Sequence, residues 1–343
     1  MRPHVPFALA ALVLLAAPLA SPAHAQVVDD RDKLAQTAMK FLAVGADPRS
    51  AALGDATTAL TGGSDALFYN PAALAWQRDD ADAMFSETRW IADIDYNHAS
   101  ASYRLGSLGV VGGSLAFADY GEMIQTVFDP TEGGSGYREV GTFSPSAFVA
   151  GVGFARAFSD RFAAGGQVKY AHQDFGAAPD RYDPDSGELQ FADISEGVLA
   201  YDFGVFYRTG FESLNFALTA RNFSREVEFV TESAQLPLAL HIGVSMDLLD
   251  LTSLQGGAHG LVLAIDAENS RDYPEQLKVG AEYTFAETLA LRAGYVAPAD
   301  EQGISLGAGV RSSLGGLGLG VDYAYTDFGV FDAVHRVAAH LSF

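Results

Sequence analysis

The charged side chains that could do chemistry in this sequence stand in segments where apolar and small residues alternate. Lys278 and Glu282 occupy the non-apolar positions of one such segment, and Asp322 does so in another. This spacing places charges on one face of a strand, where opposite signs can pair across strands or line a polar channel. The predicted inward-facing charges are Lys278, Glu282, Arg292, Arg311, Asp322 and Arg336. Pairing that ties down a neighbouring segment is the preferred interpretation, and a polar channel is the alternative.

Sequence signatures of catalysis and metal binding are missing. There is no Gly-x-Ser-x-Gly elbow, no His-Glu-x-x-His helix and no Walker loop. His241 and His340 are predicted to face inward on strands that are not neighbours, so they do not indicate a metal site. The acidic stretch 183–188 lacks the ligand spacing of a calcium loop and is interpreted as a turn. We therefore expect no enzyme, no cofactor and no bound metal.

Charge and composition exclude further classes of protein. The 343 residues include 21 Lys and Arg against 43 Asp and Glu, a net charge of −22. Such a chain is a poor candidate for holding nucleic acid or an anionic surface by charge. The absence of cysteine removes disulfides from consideration.

Residues 1–25 have the features of a secretory signal peptide. A basic start at Arg2 is followed by an apolar stretch from Phe7, and Ala23, His24 and Ala25 form a small-residue cleavage site. The apolar stretch is too short for a spanning helix, although a membrane anchor is the alternative. The sequence therefore predicts export.

Strands with a two-residue period dominate the rest of the chain. No uncharged apolar run after residue 25 reaches the roughly 18 residues that a transmembrane helix needs, whereas 236–248, 276–285 and 317–326 alternate between apolar residues and small or polar ones. The alternating segments number fourteen: 83–91, 95–105, 109–128, 142–157, 162–174, 198–208, 214–223, 236–248, 260–269, 276–285, 289–296, 303–312, 317–326 and 333–343. Only a closed barrel lets such strands cross a bilayer.

The composition of the two strand faces favours a membrane barrel over a secreted β-sandwich or solenoid. The non-apolar face is mostly Gly, Ala and Ser, which suits a crowded lumen, and the apolar face suits lipid. Aromatic residues at strand ends fit interfacial girdles: Tyr207, Tyr283, Phe285, Tyr295, Tyr323 and Tyr325. The predicted fold is an all-β transmembrane antiparallel β-barrel of about fourteen strands, residues 83–343, with an N-terminal lumenal hatch.

Residues 26–82 lack the two-residue period and are predicted to form that hatch or plug. Pro71 suits the first turn of a short helix, with Asn70 as its cap. Because so short a helix is marginal alone, we expect it inside the lumen. Asn70, Pro71 and Ala72 either position and gate the hatch or simply start this helix.

Two stretches of this region resemble a known family. Residues 41–60 run from Phe41-Leu42 through Pro48-Arg49-Ser50 to Gly54-Asp55, and residues 65–75 contain Tyr69-Asn70-Pro71-Ala72. They resemble the opening of PorV/PorQ family proteins, although Pro48-Arg49-Ser50 replaces the usual Ala-Arg-Ala. That family looks like a branch of the fatty-acid transporter (FadL-like) barrels, and its hatch motif corresponds here to Arg49, Gly54, Asn70, Pro71 and Ala72.

The resemblance implies an outer-membrane barrel that serves type IX protein secretion, as an accessory or a substrate-carrying protein. Its partners would be outer-membrane lipid, the barrel-assembly machinery and exported proteins with a C-terminal sorting domain. The terminal Phe343 would be the signal that the assembly machinery recognises. The alternative is a FadL-like transporter of hydrophobic small molecules. A transporter needs an apolar pocket between hatch and wall, to which Phe41, Leu42, Phe68 and Trp76 could contribute. A carrier needs a shaped extracellular cleft, to which the loops 129–141, 175–197 and 224–235 could contribute. A purely structural envelope protein is a third possibility.

Overall fold

The computed structural model describes residues 37–128, 136–183, 188–229, 232–253, 257–298 and 302–343. The predicted signal peptide lies outside the described residues, and so do the first part of the predicted hatch, 26–36, and most of the acidic turn, 184–187.

Fourteen antiparallel strands close into a barrel, which confirms the predicted fold class and strand number. Each barrel strand pairs with the barrel strands before and after it in the chain, and the first pairs with the last, for example Phe85 with Ala339. The barrel strands are β1 (Ala81–Arg89), β2 (Asp95–Arg104), β3 (Val110–Asp119), β6 (Ser146–Ala157), β7 (Phe162–Asp183), β8 (Glu188–Arg208), β9 (Asn215–Ser224), β12 (Ala239–Asp247), β13 (His259–Ser270), β14 (Gln276–Phe285), β15 (Leu289–Ala297), β16 (Ile304–Leu314), β17 (Leu317–Asp327) and β18 (Ala333–Ser342).

Four further strands form two small hairpins between barrel strands. They are β4 (Met123–Phe128) with β5 (Tyr137–Phe143), and β10 (Val227–Phe229) with β11 (Glu232–Ala234). The prediction of one long strand over 109–128 is therefore wrong. The chain leaves the barrel after β3 and turns at Gly121, whose φ of 72° is a left-handed conformation that glycine adopts freely.

The prediction of a loop over 175–197 is also wrong, because strand pairing continues through much of this range. β7 and β8 pair as far as Asp183 and Glu188, with register shifts after Asp174 and after Pro179. A strand that projects beyond the bilayer no longer separates lipid from lumen, so its sequence loses the two-residue period that identified the rest.

The outer face of the barrel is apolar. Leu240, Ile242 and Val244 of β12 point outward, as the alternation predicts, but Leu236 is fully buried because β12 begins only at Ala239. All six predicted girdle aromatics are exposed. Other exposed apolar side chains on the barrel strands include Leu115, Phe117, Val152, Phe154, Val168, Leu199, Phe203, Leu291, Leu306, Val310, Val321 and Val337. No helix in the described ranges is long and apolar enough to cross a membrane.

Residues 37–80, hereafter the N-terminal segment, pack in several places against inward-facing positions of the barrel strands. The helix Pro48–Ala52 packs against β15 to β18, and the 3₁₀ helix Pro71–Trp76 packs against β6 to β8 on the other side. The remaining described helices are short 3₁₀ turns: Lys40–Ala43, Ser64–Phe68, Ile91–Asp93, Gly106–Leu108, Leu248–Leu251 and Gly329–Phe331.

Glycines of the barrel wall make room for this segment. A Cβ atom on Gly294 would collide with the backbone of Leu53 and Gly54, and one on Gly165 would lie 2.7 Å from the carbonyl carbon of Pro71. The small residues of the alternating pattern are therefore the places where the segment comes closest to the wall.

Candidate functional site

The end of the barrel that carries the β4–β5 and β10–β11 hairpins is called the long-loop end, and the opposite end, with turns such as 158–161, is called the tight-turn end. Small apolar side chains line the lumen near the long-loop end. Phe41 and Leu42 are buried among them, together with Met39. The wall is formed by Tyr96, Ala116, Ala118, Ala147, Val149, Ala171, Val198 and Ala200, on strands β2, β3, β6, β7 and β8. Leu236 and Val227 complete it. This wall and the space inside it are called the apolar chamber below.

The predicted pocket residues fall into different places. Phe41 and Leu42 fill the apolar chamber rather than lining an empty one. Phe68 contacts the His98 ring instead, at 5.5 Å between centroids. Trp76 lies near the tight-turn end, where the Arg208 guanidinium is 3.6 Å from its ring centroid.

Asp272 anchors the start of the N-terminal segment beside the chamber. Its carboxylate accepts a hydrogen bond of 2.6 Å from the Thr37 hydroxyl and lies 3.1 Å from the Lys40 ammonium. The Ala38 amide donates to the Gln235 carbonyl at 2.8 Å, in a single parallel bridge. Since Asp272 is completely buried, these two polar partners stabilise its charge. The sequence offers no signal for this contact, because Asp272 lies in a loop.

A chain of buried charges holds the middle of the segment against the wall. Arg49 makes a two-pronged ion pair with Glu282, with nitrogen–oxygen distances of 2.9 and 2.8 Å. Glu282 also accepts from Arg292 at 2.6 Å, and Arg292 reaches Asp322 at 2.5 Å. His340 lies 3.3 Å from Asp322. Opposite charges thus alternate along the chain, which is the arrangement that offsets the cost of burial.

Burial and charge act in opposite directions on the segment's own ionisable groups. Burial alone lowers the pKa of the Arg49 guanidinium, but the Glu282 carboxylate outweighs it and holds the pKa above its usual value. Burial, with the charge of Asp65, raises the pKa of Asp47. Asp47 nevertheless caps the helix Pro48–Ala52 by accepting hydrogen bonds from the amides of Arg49 and Ser50.

The hatch-motif residues occupy tightly packed backbone positions. The Asn70 side chain accepts from the Ala72 amide at 3.1 Å and donates to the Thr58 carbonyl at 2.9 Å, with Pro71 in the first turn of the helix. Gly54 has a φ of 63°, and a Cβ there would lie 2.9 Å from the Tyr295 amide nitrogen. This geometry fits the helix-start interpretation of Asn70, Pro71 and Ala72, and a gating role stays a prediction.

The other predicted charges take different positions. Lys278 pairs with Glu268 at 2.5 Å, and His241 lies 3.8 Å from the same carboxylate. Arg311 is half-exposed, with a nitrogen 3.7 Å from Asp322. Among the described residues, no group of three or more His, Cys, Asp or Glu side chains is placed to hold a metal ion.

Arg336 is buried beside aromatic residues. Its guanidinium donates to the Thr326 hydroxyl at 3.2 Å and lies 5.3 Å from the Trp90 ring centroid. Within the described part of the chain, its Nε atom has no hydrogen-bond partner. Trp90 in turn contacts Tyr96 of the chamber wall, with ring centroids 6.1 Å apart.

The alternating pattern of strands β7 and β8 also contains an ion pair that sequence reasoning missed. Lys169 lies 2.7 Å from Asp202, and its ammonium donates to the Asn222 amide oxygen at 2.6 Å. Both charges occupy inward positions of predicted strands, so the same two-residue period could have identified them.

The tight-turn end of the barrel carries a polar cleft of about 520 Å³. Its lining includes the side chains of Arg78, Arg161, Arg208, Asp160 and Glu212. A second apolar cluster, which includes Leu74, Val110 and Phe206, lies at the same end of the barrel as this cleft.

Comparisons with known proteins identify the fold. No family model matches the chain. No curated protein matches it either. Among solved structures, the Ralstonia pickettii toluene transporter TbuX has a TM-score of 0.54 at 12% identity, over 87% of this chain and 97% of that one.

Two further structures show the same likeness. The Pseudomonas putida toluene transporter TodX gives a TM-score of 0.54 at 11% identity, over 87% of this chain and 97% of that chain. A Pseudomonas aeruginosa FadL homologue gives 0.50 at 11% identity, over 87% and 97%. At such low identity the likeness concerns the fold alone, and it extends over almost the whole length of these three barrels. Nothing in these comparisons supports the PorV/PorQ family specifically.

Proposed function

We propose that this protein is a non-enzymatic outer-membrane channel that takes up small apolar molecules. The observation that carries the proposal is the apolar chamber, a space walled by Ala and Val side chains inside a barrel whose outer face suits lipid. The fold is shared with two toluene transporters and with a FadL homologue. The alternative function inferred from the sequence is therefore better supported than protein secretion.

The position of the apolar chamber suggests where the path through the barrel begins. An apolar molecule that enters at the long-loop end would meet the apolar chamber, whose wall is mostly Ala and Val side chains. The paired charges and the polar cleft lie beyond it. The chamber would hold the substrate, and the N-terminal segment would control passage toward the tight-turn end.

Uptake of labelled toluene tests this function. Cells that lack their own hydrocarbon channel are given this chain, and the initial rate of accumulation is measured at limiting toluene. We expect a several-fold faster rate than in cells without it. A rate equal to that of cells without the chain would reject the proposal.

Two neighbouring positions on β8 provide a matched pair of variants. Ala200 faces the chamber and Leu199 faces outward. Ala200→Phe should lower uptake because the added ring narrows the chamber, whereas Leu199→Phe should leave it unchanged. The amount of folded barrel is measured for both, so that a folding defect is not counted as lost transport.

The second candidate, a type IX secretion accessory or carrier, rests on the resemblance of residues 41–60 and 65–75 to the PorV/PorQ opening. The exposed apolar side chains of Ile124 and Phe128 on the β4–β5 hairpin favour it, because they could contact a protein partner. Gentle extraction from the native membrane followed by native mass spectrometry separates the two. A co-purifying exported protein with a C-terminal sorting domain would support the carrier, and a bound apolar molecule alone would support the channel.

A further inference from the structure

We propose that the polar cleft at the tight-turn end binds a phosphate group. The guanidinium groups of Arg78, Arg161 and Arg208, which line this cleft, would hold the phosphate. The phosphate is either a free anion or the headgroup of a phospholipid in the adjacent leaflet. The cleft lies at the opposite end of the barrel from the apolar chamber, so the inference goes beyond the proposed function and does not depend on it.

The charge of the cleft is the reverse of the charge of the chain. Three of the five charged side chains that line the cleft are arginines, whereas the whole chain carries 21 basic against 43 acidic residues. The two carboxylates in the lining belong to Asp160 and Glu212. Asp80, which is close to Arg78 in the sequence, lies 3.9 Å from Arg104 instead. A concave site with an excess of positive charge attracts anions more strongly than a flat surface does.

Arg208 is held in position by a tryptophan. Its guanidinium lies 3.6 Å from the ring centroid of Trp76, the last residue of the 3₁₀ helix Pro71–Trp76. Such stacking uses the face of the guanidinium and leaves its N–H groups in the plane of the group, where they can meet an anion. Two of these N–H groups match two oxygens of a phosphate. Arg208 is therefore already oriented for a two-pronged contact.

Arg161 is positioned by two short turns that are bonded to each other. The Arg208 amide donates to the Arg161 carbonyl at 2.7 Å, and the Arg161 amide donates to the Ser159 hydroxyl oxygen at 3.2 Å. Gly210 has a φ of 82°, and a Cβ there would lie 2.6 Å from the central guanidinium carbon of Arg161. The Arg161 guanidinium thus lies against the turn that follows Arg208, in the space that this glycine leaves.

Arg78 contributes the third guanidinium from the N-terminal segment. Its positive charge lies close enough to that of Arg208 to repel it. An anion shared by two such groups attracts both and so offsets their repulsion. Thr61, Ser213 and Asn215 add hydroxyl and amide groups to the lining, which can donate to further oxygens. A phosphate, with about two negative charges and three strong acceptor oxygens, suits this set of donors.

Exposed aromatic side chains surround the turns that carry the arginines. Phe158 and Phe162 flank the turn with Arg161, and Phe211 lies in the turn after Arg208. In outer-membrane barrels the short turns lie on the periplasmic side, and aromatic residues mark the membrane interface. Phospholipid headgroups of that leaflet therefore lie at the level of the cleft, and free phosphate can enter it from solution.

Trp76 provides an optical reporter for the cleft, because Arg208 lies on its ring. The other tryptophan of the chain, Trp90, packs against the apolar chamber and is removed by Trp90→Phe in every sample. The full-length barrel is held in dodecyl maltoside micelles, which contain no phosphate, and inorganic phosphate is titrated. We expect a saturable change in Trp76 fluorescence. Sodium chloride at equal ionic strength, which only screens charges, should not produce it.

Two substitutions each remove one guanidinium from the cleft. Arg161→Gln and Arg78→Gln should each weaken phosphate binding about tenfold, because a charge-assisted contact is lost. Arg156→Gln is the matched control and should leave the affinity unchanged. Arg156 lies near the same end of β6, but its guanidinium is 6.0 Å from the Phe158 ring centroid and it does not line the cleft. All three arginines are exposed, so each variant should fold.

A second titration with dihexanoyl phosphatidylglycerol distinguishes the sources of the phosphate. Saturation by inorganic phosphate that both cleft substitutions weaken would support a site for the free anion. The same pattern with the lipid alone would support a headgroup site. A saturable response to neither probe would overturn the inference. A response that neither cleft substitution weakens, or that Arg156→Gln weakens equally, would also overturn it.

Discussion

At the residue scale, buried charged side chains that each have two oppositely charged neighbours hold the N-terminal segment against the barrel wall. Glu282 accepts from Arg49 of the N-terminal segment and from Arg292 of the wall, so it joins the two parts of the molecule. Its carboxylate is buried, and either arginine would be left without that counter-charge if Glu282 were neutral. A buried charge that loses its partner destabilises a protein far more than an exposed one does.

Replacing Glu282 should therefore be costly and coupled to Arg49. We expect Glu282→Gln to lower the free energy of unfolding by about 3–5 kcal/mol. The double variant with Arg49→Met should lose less than the sum of the single losses, by about 2 kcal/mol. Urea unfolding in lipid vesicles, followed by tryptophan fluorescence, measures both quantities. Strictly additive losses would mean that the pair does not hold the segment.

Gly309 leaves the space in which the side chains of Arg292 and Asp322 meet, although these residues lie on strands that are not neighbours. Arg292 on β15 reaches Asp322 on β17 across β16, and a Cβ on Gly309 would collide with both side chains. We expect Gly309→Ala to destabilise the barrel by about 1–3 kcal/mol in the same unfolding assay. Gly113→Ala, where the added carbon meets only an ordinary contact at 3.7 Å, is the control and should be nearly neutral. Equal effects would show that Arg292 and Asp322 can adjust.

Period-two alternation predicted which way the charges face, but not which charges would meet. It placed Lys278, Glu282 and Asp322 on the lumen side of their strands, and all three are buried there. The contact of Asp272 with Thr37 could not be predicted, because it joins a loop to a segment that is 235 residues away in the chain. Such contacts depend on how the segment runs through the lumen, which no local pattern encodes.

At the element scale, the barrel strands could be predicted well and their extensions could not. Within the bilayer each strand separates lipid from lumen, so its sequence must alternate. Beyond it, β7 and β8 continue as a paired hairpin whose two faces meet the same surroundings, and the pattern fades. The short helices of the N-terminal segment were recognisable from caps such as Asn70 and Pro71, but their places against the wall glycines were not.

The projecting β7–β8 hairpin distinguishes between the two candidate functions. Replacing residues 177–192 by a two-residue turn removes the part beyond the first register shift and leaves barrel pairing up to Asp174 and Ser195. A channel for apolar molecules should keep its toluene uptake, because the chamber wall is untouched. Loss of uptake in a variant that still folds would mean that the hairpin takes part in entry, and loss of binding to an exported protein would favour the carrier.

At the scale of the whole molecule, the barrel encloses a lumen that its own chain fills. The wall contributes Ala, Val and Gly, and the N-terminal segment contributes the larger side chains that occupy the space. The closed ring leaves no strand edge unpaired, and the apolar exterior matches a bilayer. In the proposed channel, a molecule that crosses the barrel has to pass this segment, and the apolar chamber is the part of the lumen that suits an apolar molecule.

The location of a bound apolar molecule tests this account most directly. Crystals of the full barrel are soaked with bromobenzene, whose bromine is located by its anomalous scattering. The account predicts a bromine peak inside the apolar chamber, within contact distance of Ala147 and Ala171, with Phe41 displaced from its present position. Bromine found only on the lipid-facing surface or in the polar cleft, with Phe41 and Leu42 unmoved, would contradict it.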